Sequence, residues 1–314
     1  MKKAIGMLFP LLLSLSLSVS SMAGPYPPEA GQPGSTAIHM DDPVFVGWAT
    51  GYIDYIAGSN IDATWQNPER ALGKASGTPY DVVSLGRGGQ ITLTFNPPIK
   101  DGEGWDFAVF ENSFSDTFLE LAYVEVSSNG QDFVHFDSIS LSPEPIGGFR
   151  SADPTDTDGL AGKYRQGYGM PFDLQDLTDK PEVLSGDVNL DQIAYVKIMD
   201  IVGDGTYFDS STHVIYDPYP TVSSAGFDLD AIGVSNGAPY PVGEYSPPSA
   251  PSHDGEAGFG GGGGCFVAAA SWGLRQMALT ILFPMAIVAL ILLSALTRKF
   301  GDVFLALSSR SINL

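Results

Sequence analysis

The chain has 314 residues, with 15 lysine and arginine residues against 36 aspartate and glutamate residues, so its formal net charge at pH 7 is −21. Such a surface repels nucleic acids and anionic lipid headgroups, and it suits cations, calcium in particular. Solubility alone is an alternative reason for the acidity. The single cysteine, Cys265, excludes an intramolecular disulfide, so the fold depends on its core, with or without a bound metal.

The N-terminus predicts a signal peptide over residues 1–23. A basic start, Met1-Lys2-Lys3, precedes an apolar stretch, and small residues end at Ala23, where cleavage is expected. The alternative is an uncleaved anchor, for which the apolar run is short. Residues 24–41 are rich in proline, glycine and alanine, which is typical of a flexible leader. We therefore expect the rest of the chain to be extracytoplasmic.

Residues 42–236 are predicted to form one all-β domain, an antiparallel, jelly-roll-like β-sandwich. Short runs such as 90–95 and 122–127 alternate apolar and polar residues, which is the period of strands with one buried face. Asn129 and Gly130 separate two such runs and are a strong hairpin signal. Frequent turn residues and the lack of a long amphipathic pattern favour the sandwich.

The C-terminal region predicts a stalk and a membrane anchor. Residues 237–264 are rich in proline, serine and glycine, as in flexible linkers. The Cys-containing segment 265–276 follows, and residues 277–297 hold about the 20 apolar residues that cross a bilayer. The basic pair Arg298-Lys299 indicates that the tail, residues 298–314, stays in the cytoplasm.

The cysteine segment resembles the C-terminal sorting signals of bacterial surface proteins, which carry a glycine run, a Cys-Phe-x-Ala box, a hydrophobic span and basic residues. The matching stretch is Gly261-Gly262-Gly263-Gly264-Cys265-Phe266-Val267-Ala268. The resemblance implies an intramembrane sorting protease as a partner and makes Cys265 the candidate for processing or lipidation. The alternative is an unmodified thiol beside a plain anchor.

The main domain resembles galactose-binding-like jelly rolls of the discoidin and carbohydrate-binding-module type, on Tyr123-Val124-Glu125-Val126-Ser127-Ser128-Asn129-Gly130 and on Ile193-Ala194-Tyr195-Val196-Lys197-Ile198. It is also similar to uncharacterised bacterial cell-surface proteins. That second resemblance rests on Val83-Ser84-Leu85-Gly86-Arg87-Gly88-Gly89, Asp106-Phe107-Ala108-Val109-Phe110-Glu111-Asn112 and Gly226-Phe227-Asp228-Leu229-Asp230-Ala231-Ile232. It implies a location at the cell surface and no particular activity.

Two acidic groups are candidate calcium sites. Asp153, Asp156 and Asp158 lie in one turn-rich segment that ends in glycine, and calcium needs several oxygen ligands on such a loop. Asp228 and Asp230 are two residues apart on a predicted last strand, so both side chains should lie on one face. The alternatives are a solvated acidic turn and an exposed acidic face.

Three tyrosines in turn-rich stretches, Tyr164, Tyr168 and Tyr207, are candidate contacts for sugar rings, although such residues also cap cores. The pattern favours a surface-anchored binding or adhesion module, with calcium as the candidate cofactor and a carbohydrate or envelope polymer as the ligand. Two alternatives are a polysaccharide hydrolase using Asp106 and Glu111, and a purely structural envelope protein. No nucleic-acid partner is expected.

Overall fold

Antiparallel β-sheets make up most of the regular structure in residues 23–237, the part of the chain that the computed structural model describes. In chain order the strands are β1 (Ile38–His39), β2 (Gly47–Trp48), β3 (Gly51–Ile56), β4 (Val83–Ser84), β5 (Gln90–Ile99), β6 (Phe107–Glu111), β7 (Ala122–Ser127), β8 (Val134–His135), β9 (Ile139–Ser140), β10 (Ile146–Gly147), β11 (Thr157–Asp158), β12 (Tyr168–Phe172), β13 (Ile193–Asp200), β14 (Pro218–Tyr219) and β15 (Asp228–Val234). The helices of the same region are short: α1 (Pro181–Leu184) and the 3-10 helices Ala63–Trp65, Pro68–Ala71, Pro154–Asp156, Leu174–Leu177 and Leu190–Gln192. The predicted all-β class with antiparallel pairing is confirmed.

Two main sheets contain most of these strands. The first has the order β1-β12-β6-β15-β2, with β4 paired to β15, and the second has the order β3-β5-β13-β7-β8. Two short strand pairs lie outside these sheets: β9 pairs antiparallel with β11, and β10 pairs parallel with β14. Since β6 and β15 are neighbours and antiparallel, the last residue of β6 lies beside the first residues of β15.

Residue alternation explains the buried face of the second sheet. In β13, Val196 and Ile198 are buried and the one residue between them is partly exposed. Ile193 is also buried although it breaks the two-residue period, because the pairing with β5 shifts register between Ile193 and Tyr195. The period-two pattern of the sequence therefore identified this strand correctly.

The main hydrophobic core receives side chains from both sheets. They include Ile91, Leu93, Val124, Val126, Val196 and Ile198 from the second sheet and Phe107, Val109, Leu229 and Ile232 from the first. The strands β6 and β15 are buried along their whole length. Their other face is covered by a smaller cluster in which Phe45, Trp48 and Trp105 pack on Ala108, Phe110 and Ala231.

The predicted hairpin at Asn129 and Gly130 joins β7 to β8, which pair antiparallel. The side chain of Asn129 accepts hydrogen bonds from the backbone of Gln131 and Asp132, at 2.8 and 2.9 Å. Gly130 has a φ of +75°, which glycine adopts with little strain. The turn is longer than a two-residue hairpin, because residues 128–133 separate the two strands.

Residues 24–41, expected to form a separate leader, lie against the domain. The backbone nitrogen of Tyr26 donates to the carbonyl of Thr155 at 3.1 Å, Ala30 is buried, and β1 pairs with β12. These contacts supply partners for backbone groups that a free leader would leave to water.

Most of the predicted export and anchoring segments lie outside the described residues. They are residues 1–22 of the signal peptide, the stalk beyond Gly237, Cys265 and the span 277–297. Ala23, the last residue of the predicted signal peptide, is described and exposed. No helix between residues 23 and 237 has the length and apolar character needed to cross a bilayer.

Candidate functional site

Eight acidic side chains are buried in the described part of the chain: Asp106, Glu111, Glu120, Asp200, Asp209, Asp217, Asp228 and Asp230. A buried carboxylate destabilises a fold unless hydrogen bonds or an opposite charge compensate it. Within residues 23–237 only Asp209 has a basic side chain at ion-pair distance, His213 at 3.1 Å. The other seven therefore depend on hydrogen bonds, on protonation or on a bound cation.

Five of the eight carboxylates are satisfied on both oxygens. Asp230 accepts from the backbone nitrogens of Ser76 and Gly77, each at 2.9 Å. Asp200 accepts from the backbone nitrogens of Gly88 at 2.8 Å and Phe227 at 2.7 Å. Asp106, Asp209 and Asp217 are likewise held by backbone donors. These five side chains fasten loops to the strands.

The remaining three, Glu111, Glu120 and Asp228, differ. Oε1 of Glu111, Oε1 of Glu120 and Oδ1 of Asp228 are buried and make no hydrogen bond of normal geometry within the described structure. The hydroxyls of Ser84 and Thr221 are close enough to lower the pKa of Asp228 and of Glu120, respectively. Each residue is at most 5 % exposed. We call this set the acidic triad. Leaving such oxygens without a partner costs about 1–3 kcal/mol each, and more if the group is charged.

Strand pairing brings two members of the triad together. Glu111 is the last residue of β6 and pairs with Leu229 on β15, one residue after Asp228. Glu120 lies in the segment between β6 and β7, two residues before β7 begins. The charge on Asp228 acts on both glutamates, so all three carboxyl groups belong to one electrostatic neighbourhood.

The other oxygens of the triad hold the surrounding chain. The backbone nitrogen of Ser113 donates to Oε2 of Glu111 at 2.7 Å. The side-chain amide of Asn112 donates to Oδ2 of Asp228 at 3.2 Å. One oxygen of Glu111 and one of Asp228 are thus held by donors, and the other oxygen of each makes no hydrogen bond of normal geometry within the described residues.

Burial dominates the electrostatics of the triad. It raises the pKa of Glu111 well above the ordinary value, and the charge on Asp228 raises it further. Burial, followed by the charges on Asp228 and Glu111, also raises the pKa of Glu120 well above its usual range. Burial raises the pKa of Asp228 to about 7. The raised pKa values favour the protonated form of these carboxyl groups.

A small cavity adjoins Glu120. Its volume is about 10 Å³, and Asp200, Asp217 and Arg87 also line it. That is about the space of one water-sized sphere. Arg87 does not neutralise the triad directly, since its guanidinium donates to the carbonyl of Thr221 and lies 4.9 Å from the centre of the Tyr219 ring.

A second acidic group, Asp101, Asp106 and Asp173, is the only set in residues 23–237 whose carboxylate oxygens all lie within 4.8 Å of one another. Asp101 and Asp173 are partly exposed, and both oxygens of Asp106 already accept hydrogen bonds. Asp173 also caps the following 3-10 helix by accepting from the backbone of Gln175 at 2.9 Å. Hydrogen bonds that hold the loops therefore explain the position of Asp106 and Asp173 in this group.

An aromatic cluster has two of its three rings on the segment that connects Glu111 to Glu120. Phe118 is sandwiched between Phe114, at 4.7 Å between ring centres, and Phe149, at 6.2 Å, with interplanar angles of 25° and 15°. Phe114 and Phe149 are 67 % and 78 % exposed, whereas Phe118 is 8 % exposed. We call these residues the phenylalanine stack. Large exposed apolar rings of this kind mark interaction surfaces.

A groove of about 610 Å³ begins at Phe149. Charged side chains line it beside the ring: Glu144, Arg150, Asp153 and Asp156. The segment that carries Phe149 is joined to the loop of Phe118 by a hydrogen bond from the backbone of Ala152 to the carbonyl of Thr117, at 2.8 Å. The stack and the groove therefore form one continuous surface.

The predicted calcium loop is a capped turn. Asp153 caps the 3-10 helix Pro154–Asp156 by accepting from the backbone nitrogen of Thr155 at 2.9 Å. Asp158 pairs with the fully buried amine of Lys163 at 3.4 Å. The oxygens of Asp153, Asp156 and Asp158 do not all approach within 4.8 Å in the described structure. Calcium binding by this loop stays a prediction.

Asp228 and Asp230 lie on the last strand, as predicted, but they serve different partners. The pairing of β15 with β6 shifts register between Leu229 and Ala231, so the simple two-residue alternation does not hold there. Asp230 binds Ser76 and Gly77 while Asp228 joins the acidic triad.

The three predicted tyrosines have separate environments. Tyr164 is 1 % exposed, lies in the main core and shares a 2.8 Å hydrogen bond between its hydroxyl and that of Thr36. Tyr168 is half-buried, with the guanidinium of Arg165 4.7 Å from its ring centre. Tyr207 is half-buried beside Tyr123, 6.2 Å between ring centres. Contact with a ligand at these positions stays a prediction.

Sequence reasoning did not single out Glu120. Asp106 and Glu111, considered as a hydrolytic pair, sit at opposite ends of β6. A usable signal was the Leu119-Glu120-Leu121 run, because an acid between two leucines of one buried cluster must itself be close to the interior.

Comparison of the chain with protein-family models, with curated proteins and with solved structures gave no significant match.

Proposed function

We propose that the chain is an exported binding module, a jelly-roll-like β-sandwich displayed outside a bacterial cell and held there by its C-terminal segment, with a carbohydrate or envelope polymer as its ligand. The observation that carries the proposal is the phenylalanine stack. Two of its rings are largely exposed, and the groove beside them offers charged side chains. The signal peptide at residues 1–23 and the apolar segment 277–297 support the location.

The chemistry of this surface fits a sugar polymer. The flat apolar faces of pyranose rings pack on aromatic rings, and their hydroxyl groups need hydrogen-bond partners at the ring edges. Phe149 supplies a ring, while Glu144, Arg150 and Asp156 supply polar groups along the same groove. A larger cavity of about 690 Å³ also exists, in whose wall Phe136 and Phe172 are buried and Trp105 is partly exposed.

The hydrolase alternative gains no support from the geometry. Asp106 uses both oxygens to hold Gly102, Leu174 and Asn236, and it lies at the other end of β6 from Glu111. Glycoside hydrolysis needs two carboxyl groups about 5–10 Å apart that flank one bond. A structural role without a ligand remains the competing outcome of the experiment.

The test is retention on insoluble polymers. The full chain, purified in detergent, is incubated with peptidoglycan sacculi, cellulose and chitin, and the sedimented fraction is measured against polymer concentration. We expect saturable retention on at least one polymer, lost in a Phe114→Ala, Phe149→Ala double variant. Phe208→Ala is the matched control, because Phe208 is also exposed and lies outside the stack. Retention on no polymer would contradict the proposal, and release of shorter sugars would favour the hydrolase.

A further inference from the structure

We infer that Glu111, Glu120 and Asp228 form a buried binding site for a hard divalent cation of the calcium type, which ties together the two ends of the loop that carries Phe114 and Phe118. This inference goes beyond the proposed binding function and does not depend on it. It rests on three buried carboxylate oxygens that make no hydrogen bond of normal geometry within the described structure.

The contrast among the buried acids is the main argument. The fold satisfies both oxygens of five buried carboxylates with backbone and side-chain donors, so it provides such donors wherever a carboxylate has a purely structural task. In the acidic triad, Oε2 of Glu111 and Oδ2 of Asp228 have such donors, but Oε1 of Glu111 and Oδ1 of Asp228 make no hydrogen bond of normal geometry within the described residues. Besides Asn112, only the hydroxyl groups of Ser84 and Ser224 act on the Asp228 carboxylate. An oriented carboxylate with a free inner oxygen is what a cation site requires.

The type of ligand atom selects the cation. All three side chains offer carboxylate oxygens, which favour calcium and magnesium over zinc or copper. Ser84 lies opposite Asp228 in the β4–β15 pair. Its buried hydroxyl makes no hydrogen bond of normal geometry among residues 23–237, but it acts on the Asp228 carboxylate. It can add a neutral oxygen. Calcium takes six to eight oxygens at about 2.3–2.6 Å in adaptable geometry, which suits a site built from three separate segments.

Cation binding requires a small local adjustment. The oxygens of the triad are not all within 4.8 Å of one another, so at least one side chain must rotate inward to coordinate a single ion. Glu120 lines the 10 Å³ cavity, whereas Glu111 and Asp228 do not. Protonation is the competing way to neutralise the three groups, because each of them favours its neutral form when no cation is bound.

The position of the triad assigns the ion a mechanical role. The loop 112–121 starts directly after Glu111, and Glu120 is its second-last residue. An ion between these glutamates closes the loop at its base, and Asp228 connects that base to β15. The phenylalanine stack is carried in part by the same loop, so its arrangement depends on whether the base is closed.

The experiment uses the full chain in detergent and requires no glycan, so its outcome is separate from that of the polymer test. Thermal unfolding is followed with chelator and with increasing calcium at pH 7.5, and bound calcium is counted by equilibrium dialysis. At about 100 times the dissociation constant we expect Tm to rise by roughly 5–10 °C, with about one ion per chain. Glu120→Gln and Glu111→Gln should abolish both effects.

The matched control is the Asp153→Asn, Asp156→Asn double variant, which removes two carboxylates of the capped turn and should retain the shift. The dialysis measurement on the unaltered chain keeps the test decisive if a glutamate variant folds poorly. Coincident melts with calcium and chelator, or no bound calcium, would overturn the inference in favour of protonated acids. Loss of calcium binding in the control variant alone would move the site to the turn predicted from sequence and would also overturn it.

Discussion

The side-chain amide of Asn112 donates a hydrogen bond to Oδ2 of Asp228 at 3.2 Å, and the same nitrogen donates to the carbonyl oxygen of Pro79, also at 3.2 Å. Asn112, the first residue after β6, therefore fastens the loop to the start of β15 and to the segment before β4. Through this contact the last residues of β6 and the first residue of β15 behave as one unit.

Replacement of Asn112 by alanine should destabilise the protein by about 1–3 kcal/mol, because it removes the donor that serves the buried carboxylate of Asp228. The free energy of unfolding can be measured by urea titration at pH 7.5. The control is Gln131→Ala at an exposed position, which should change stability by less than about 0.5 kcal/mol. Equal stabilities of the two variants would show that the bond contributes nothing.

Stability in the presence of chelator should fall as the pH rises from about 4.5 to 7.5. Burial raises the pKa of Asp106 and of Asp200 to about 6, from an ordinary value of 3.8. The folded state thus holds protons more tightly than the unfolded chain, so these groups stabilise it below pH 3.8 and lose that contribution as pH rises through about 6. Glu125, whose pKa is lowered, acts in the opposite direction and at lower pH.

Urea unfolding in chelator across that pH interval checks the prediction. A free energy of unfolding that increases with pH over the interval would be incompatible with carboxyl groups that are buried and neutral at pH 5. Saturating calcium should reduce the slope, since an ion at the acidic triad replaces protons there.

Lys163 is fully buried, and its amine donates to the carbonyl of Thr157 at 2.7 Å. Lys163→Met should cost about 1–3 kcal/mol, because the Thr157 carbonyl loses its donor inside the protein. The control is Lys74→Met, which removes an exposed pair with Asp41 and should cost less than about 1 kcal/mol. The free energies of unfolding of both variants, measured by thermal or urea unfolding, test this difference. A smaller loss for Lys163 than for Lys74 would contradict the assigned role.

The phenylalanine stack should separate folding from binding. Phe118 is 8 % exposed between the other two rings, so Phe118→Ala should destabilise the protein by about 3–5 kcal/mol. Phe114→Ala and Phe149→Ala remove exposed rings and should each change stability by only about 0.5 kcal/mol. Comparison of the three unfolding curves tests this. If the exposed rings proved as important for stability as Phe118, the stack would be a structural element and not a ligand surface.

The sequence allowed the strands to be predicted where the signal is local. Alternation of apolar and polar residues located β7 and β13, and Asn129-Gly130 located the turn after β7, because pleat and turn geometry act over a few residues. Alternation was a poor guide at Asp228 and Asp230, where a register shift that depends on β6 separates their partners.

The candidate site could not be predicted in the same way. Its three acids come from the end of one strand, the start of another and a loop, and the pairing of β6 with β15 brings Glu111 and Asp228 together. The same holds for Tyr164, whose burial depends on contacts with residues more than a hundred positions earlier, such as Thr36. Long-range packing of this kind leaves no periodic trace in a single sequence.

The most direct test of the cation site is its position in a crystal of the protein grown with terbium, which replaces calcium and scatters anomalously. We expect one strong anomalous peak among Glu111, Glu120 and Asp228, with carboxylate oxygens at about 2.3–2.6 Å. A map without a peak there, or with its main peak beside Asp153 and Asp156, would contradict it.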